Sequence, residues 1–143
     1  MLIVVFTIIV LVTICILIHY EVLLRLSKVL KHTQILPRLR IVIALVGALF
    51  AHVLEIFVFS FGYFFLGKSP QFGELVSTTG GAIGHFSDFA YFSFSTYTSL
   101  GFGDIVPTGA LRYMAGMEVL LGLVLIAWSA SFIYVEMQRF WKV

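Results

Sequence analysis

From Met1 to Ile18 the chain carries no charged side chain, and between Val119 and Val135 it again carries none. Runs of this kind leave few folds open. Crossing roughly 30 Å of hydrocarbon as an α-helix takes about 20 apolar residues, so the first run stands near the lower limit. A signal peptide would want a basic stretch before it and a small-residue cleavage site after it. Here HYE and then RLSK follow, so a retained membrane helix is expected. Only 11% of the 143 residues are charged, against roughly 25% in soluble domains. That is too little polar surface to coat a globule, and lipid is the expected solvent.

Two further spans follow. Ile41 to Gly67 reaches about 40 Å as a helix, enough to cross with some tilt. Leu111 to Met137 contains the second uncharged run and is long enough for a third. Between the first two spans, Arg25, Lys28, Lys31 and His32 share one helical face, with Val22, Leu23, Leu26, Val29 and Leu30 on the other. This interfacial pattern suits a cytoplasmic juxtamembrane helix touching anionic head groups. A voltage-sensing helix would also repeat cations every third residue, but these lie outside the apolar run and no separate helix supplies matching acids. Orientation follows from the cations. Arg25, Lys28, Lys31, Arg38, Arg40, Arg139 and Lys142 fall on one side, leaving Lys68 and Arg112 opposite. The expectation is a multi-pass protein of the cell membrane, with its N-terminus outside and its C-terminus cytoplasmic. The single cysteine, Cys15, precludes an intramolecular disulfide, and no cysteine or histidine cluster has zinc spacing.

Between the second and third spans lies the polar part of the chain. KSPQFGELVSTTGGAIGHFSD is glycine-rich and without apolar period, and reads as a loop. FSDFAYFSFSTYT, Phe86 to Thr98, is apolar but too short to cross, which suits a re-entrant helix. Ser87 or Asp88 makes a good N-cap, and an acid suits the positive helix end. YTSLGFGDIVP follows directly. Gly101 and Gly103 alternate with other residues, and glycine accepts left-handed backbone angles. Consecutive carbonyls can then point one way. In lipid, irregular backbone survives only where protein buries it or where it lines a watery cavity. Carbonyls aimed at one axis from several chains can replace the water shell of a cation.

At this point the sequence resembles a known family. Thr98-Ser99-Leu100-Gly101-Phe102-Gly103-Asp104 is similar to the potassium-channel signature T-T-V-G-Y-G-D, with Pro107 where that family often has proline. The resemblance covers about Arg40 to Met137. It implies an all-α membrane protein with three transmembrane helices per chain, a re-entrant pore helix and a selectivity-filter loop, assembled as a homotetramer. The implied layout is an N-terminal transmembrane helix over 1–20, a cytoplasmic amphipathic basic segment over 21–39, a pore domain over 40–138 and a cytoplasmic tail over 139–143. Within the pore domain the outer helix takes 40–67, the extracellular turret 68–85, the pore helix 86–98, the filter 99–103 and the inner helix 110–138.

The resemblance also implies roles. The carbonyls of Ser99, Leu100, Gly101 and Phe102, with the Ser99 hydroxyl, would bind K+, and Gly103 would shape the outer mouth. Thr98, Asp104, Tyr97 and Glu118 are expected to support the filter, Glu118 through Tyr97, Thr98 or a backbone amide, unless it faces a polar gap between subunits. Three positions depart from the signature: serine at 99, leucine at 100 with its side chain expected to turn into packing, and phenylalanine at 102 without the hydroxyl that braces many filters. Tyr91, Phe92, Phe94, Tyr97 and Phe102 are expected to form one aromatic cuff. Gly122 stands where inner helices bend, as a gating hinge or as a site of close packing.

Polar residues within the spans invite a functional reading. His52 and Glu55 share a helix face. Structural pairing, proton- or ion-sensitive gating and interface packing are all open for them, with the first span or the pore helix as possible partners. Ser129 and Ser131 either face cavity water or bond to their own helix. Trp128, Trp141 and Tyr134 read as core and interface-belt residues. No nucleophile–base pair, phosphate loop or metal cluster suggests an enzyme, and neither a cofactor beyond bound K+ nor a calcium- or nucleotide-binding gating module after Met137 is expected. The expected function is passive K+ conduction. A non-selective monovalent cation channel of the same build, or a non-conducting regulatory membrane subunit, is the alternative.

Overall fold

The computed structural model describes residues 2–32 and 36–140. Neither glycine nor proline interrupts the first segment, and α1 runs unbroken from Leu2 to His32. The expected division near residue 20, between a membrane helix and a separate basic segment, is therefore not a break in the backbone. The cations occupy the last turns of the same helix. Pro37, whose missing amide proton and fixed φ suit a first helical position, begins α2, Pro37–Leu66, earlier than the expected residue 40. A short 3-10 turn, Pro70–Phe72, precedes β1, Leu75–Ser77. Then come α3, Phe86–Tyr97, β2, Ile105–Pro107, and α4, Leu111–Phe140. Trp141 and Lys142 lie outside the described residues.

Three helices, α1, α2 and α4, are long and apolar enough to cross a membrane. Each buries one stripe at helical spacing. On α1 it is Val4, Ile8, Leu11, Cys15, His19 and Leu23, and on α4 it is Leu111, Met114, Glu118, Leu121, Leu125 and Ser129. The opposite faces stay apolar and exposed, as expected of helices surrounded by lipid or by neighbouring chains. α2 packs against α1, α3 and α4, and α1 also touches α4. Phe59, Tyr63, Phe92 and Met114 lie at the heart of the core. The stretch read as plain loop contains β1, which pairs antiparallel with β2, Val76 opposite Val106. This two-stranded clasp holds both ends of the segment that contains α3 and the glycine loop.

Candidate functional site

α3 stops at Tyr97, with Thr98 as its C-cap. The chain then adopts left-handed angles at alternate residues: φ is 58° at Ser99, 53° at Gly101 and 78° at Gly103. Ser99 is the one non-glycine residue with positive φ among the described residues. Its Cβ makes that conformation cost about 1 kcal/mol, offset locally by the bond from its amide to the Thr96 carbonyl at 2.9 Å. Two more amides turn back toward α3. Gly101 donates to the Ser95 carbonyl at 3.2 Å and Phe102 to Ser95 Oγ at 3.3 Å. No peptide bond in the described chain is cis, and in a trans peptide the C=O opposes the N–H. The carbonyl oxygens of Leu100 and Gly101 therefore point away from α3, on the same side of the strand. Residues 98–103 are all exposed on the single chain.

The outer end of this strand is held in part by a residue the sequence did not single out, Thr78. Its Oγ1 lies 2.8 Å from the Gly103 carbonyl and 3.2 Å from the Asp104 carbonyl, and its amide donates to the Asp104 carbonyl at 2.8 Å. Tyr91 OH donates to Asp104 Oδ2 at 2.8 Å. That bond to a carboxylate raises the Tyr91 phenol pKa above its ordinary value. At the start of α3, Asp88 Oδ2 accepts from the amides of Gly84 and His85, both at 3.0 Å. The Gly84 amide is the main cause of the lowered Asp88 pKa.

Behind the loop, α2, α3 and α4 share a buried carboxylate. Glu118 accepts from Tyr63 OH at 2.6 Å and from Ser93 Oγ. It is fully buried. Its partners are thus Ser93 and Tyr63, not Tyr97 or Thr98, because it meets α3 one helical turn before that helix ends. Thr98 instead bonds its hydroxyl to the Phe94 carbonyl at 2.7 Å. Gly122 lies against the end of α3, where an added Cβ would fall on the Tyr97 carbonyl oxygen. Close approach is a requirement at this position.

A second buried cluster joins all four helices. His19 Nδ1 lies 2.9 Å from Glu55 Oε1, and His52 Nδ1 lies 3.2 Å from Glu55 Oε2 and 2.8 Å from Tyr97 OH. Tyr97 OH donates to Glu55 Oε2. On the far side of both imidazoles, Ser129 Oγ lies 3.3 Å from His19 Nε2 and 3.1 Å from His52 Nε2. His52 and Glu55 do pair, and Glu55 reaches both the first span and the pore helix. Ser129 joins them, whereas Ser131 bonds to the Ala127 carbonyl of its own helix at 3.0 Å. His19 was missed. Its one signal is that it is the first ionisable residue after the opening run.

The expected aromatic cuff divides into separate pairs. Tyr91 stacks on Phe102, with centroids 6.4 Å apart and planes within 7°. Phe92 turns inward, edge-on to Tyr63 at 5.0 Å, and Phe94 meets Phe57 at 6.4 Å. A helix separates neighbouring residues by about 100°, so these rings cannot share one face. Leu100, expected in packing, is 63% exposed within the single chain. Trp128 lies 5.2 Å from the His19 ring, and Tyr134 is exposed at the surface. Arg25 pairs with Glu21 at 2.7 Å on an exposed face.

A family model described as an ion channel matches residues 51–139. No curated protein and no solved structure gives a match.

Proposed function

The chain belongs to the ion channel family, and from that premise we propose that four copies form a potassium-selective pore in the cell membrane. The observation that carries this reading is the pair of carbonyls, Leu100 and Gly101, turned to the same side of an exposed strand with left-handed residues at alternate positions. One strand offers one wall. Four walls around an axis would surround a dehydrated cation with oxygens. Ser99, Leu100, Gly101 and Phe102 would supply the K+ sites, and Gly103 the outer mouth. Thr98 and Tyr97 would anchor the inner end, Asp104 the outer end, and Glu118 would hold the pore helix from behind.

Assembly is supported by what one chain leaves uncovered. Leu100, Phe102, Leu120 and Val124 are each about three-fifths exposed, and they lie on the filter strand and the inner helix. In a ring these faces would meet neighbouring copies or the cavity. α3 would then be re-entrant, its C-terminal end directed at the cavity, where its partial negative charge favours a cation. Bending α4 at Gly122 would lift it off Tyr97, which makes this residue the proposed gating hinge as well as a contact. The cytoplasmic end of α1, with Arg25, Lys28 and Lys31, would lie at anionic head groups. In this reading the N-terminus would lie outside and the C-terminus in the cytoplasm.

The test is planar-bilayer recording of the purified chain under opposed K+ and Na+ gradients. Unitary currents reversing near the K+ equilibrium potential, and absent in Gly101→Ala, are the expected result. Reversal near zero would assign a non-selective cation pore, and silence from a correctly assembled tetramer a regulatory subunit. Either result overturns the proposal.

A further inference from the structure

The His19–Glu55–His52 cluster places one carboxylate between two imidazoles inside the membrane-spanning helices. Glu55 is fully buried, and its ion-pair partners are the two histidines. A buried carboxylate needs a compensating positive charge.

Two features of the geometry indicate what supplies it. First, the nitrogen and oxygen atoms converge on a point instead of forming a simple chain. Both Nδ1 atoms face the same carboxylate, and His52 Nδ1, Glu55 Oε2 and Tyr97 OH lie in mutual contact. One ligand atom each from His19, His52 and Glu55 fit within 4.8 Å of one another. A tetrahedral zinc-class ion with bonds of about 2.0–2.1 Å holds its ligand atoms about 3.3 Å apart. The His19–Glu55 and His52–Glu55 separations of 2.9 and 3.2 Å need only slight expansion to admit such an ion, and the ligand atoms of the two histidines lie within the same 4.8 Å. Second, both imidazoles turn Nε2 to one oxygen, Ser129 Oγ. With Nδ1 given to a metal, both Nε2–H groups would donate to that oxygen. This is the outer-shell bond that fixes the tautomer of a metal-ligating histidine.

We propose that His19 Nδ1, His52 Nδ1 and the Glu55 carboxylate form a binding site for a divalent transition-metal ion of the zinc class. The Tyr97 oxygen lies within reach of the fourth position, and Ser129 orients both rings. The ion takes the lone pair of each Nδ1 once the single ring proton of each neutral imidazole sits on Nε2, so the ring protons stay within the cluster. The site ties the N-terminal helix to the end of α3, next to the glycine loop. It is distinct from the proposed K+ sites, whose ligands are backbone oxygens.

Equilibrium binding of Co2+ and Zn2+ to the purified full chain in detergent, after chelator treatment, tests this directly. One ion per chain is expected, with the visible absorption of tetrahedral Co2+ and displacement of Co2+ by Zn2+. His19→Gln and Glu55→Gln should each lower affinity by a factor of ten or more, and Ser129→Ala by about tenfold through the outer shell. His85→Gln, on the surface loop, should bind like the parent. If the histidine or glutamate variants do not assemble, Ser129→Ala, which keeps all three ligands, still decides. Absence of stoichiometric binding to the parent, or binding unchanged in Ser129→Ala and Glu55→Gln, overturns the proposal and leaves an added proton as the compensating charge.

Discussion

The phenol of Tyr91, on the second turn of α3, donates to the carboxylate of Asp104 at 2.8 Å, bridging the pore helix and the residue that ends the glycine motif. In the same residue pair's neighbourhood, Phe102 lies flat against the Tyr91 ring. Position 102 has no hydroxyl, so Tyr91 provides the phenol that ties the outer end of the glycine loop to α3.

Tyr91→Phe keeps the stack and removes that bond. Solvent screens the bond, because Tyr91 is 42% exposed, so its loss should loosen the loop without unfolding the chain. Assembly should survive, while currents in bilayers should decay faster on lowering K+. The bond also sets a pH dependence. A phenol whose pKa is raised in the fold adds stability while protonated, and loses it as pH climbs through the raised value. Parent currents should therefore become less steady in strong alkali, above the ordinary phenol range, and Tyr91→Phe should lack that step.

Asp88 has the opposite sign. Its lowered pKa, due first to the Gly84 amide, stabilises the fold above the ordinary carboxylate range. The contribution falls away as pH drops through the lowered value. His85, not Ser87 or Asp88, is the N-cap of α3, and Asp88 is the third helical residue whose carboxylate reaches back to the cap amide. Asp88→Ala removes the acceptor of two amides there and should cost about 1 kcal/mol. Thermal unfolding of the purified protein at neutral pH should show a lower midpoint, and the difference from the parent should shrink in acid.

At Glu118 the comparison is between two substitutions. Glu118→Ala leaves the buried Tyr63 hydroxyl without its acceptor, while Ser93 keeps the Ile56 carbonyl at 2.9 Å, a loss of about 1–3 kcal/mol. Glu118→Gln keeps the volume and one carbonyl acceptor, so its loss should be clearly smaller. Equal melting points for the two variants would contradict the assignment of Glu118 as the shared acceptor of α2, α3 and α4.

Gly122→Val would drive a branched side chain into the Tyr97 carbonyl. Overpacking of this kind costs about 1–3 kcal/mol. Gly116, whose Cβ would meet nothing nearby, is the control on the same helix. Gly116→Ala should leave unfolding unchanged or slightly raise its midpoint, since alanine is the better helix former. Only Gly122→Val should disturb conduction.

The long helices and the glycine loop were legible because their causes are local. An uncharged run must cross or be buried, and alternate glycines admit alternate left-handed angles wherever they stand. The start of α2 at Pro37 was read three residues late, because the apolar run alone begins at Ile41. The pairings of the buried polar groups had no such signal. His19 and Glu55 are 36 positions apart, Tyr63 and Glu118 are 55, and His19 and Ser129 are 110. No spacing rule links residues so distant, and the metal-type convergence of His19 with His52 was invisible as a motif. Their meeting depends on the rotation and depth at which α1, α2 and α4 dock, set by the fit of whole helical faces. The β1–β2 clasp and the hold of Thr78 on Gly103 likewise arise only once the turret folds back over the loop. Sequence alone thus determined which segments are helical and where the backbone can turn its oxygens outward. Tertiary packing decided which carboxylate meets which hydroxyl or imidazole, because a buried polar group must find a partner and only the docked helices determine which one is near.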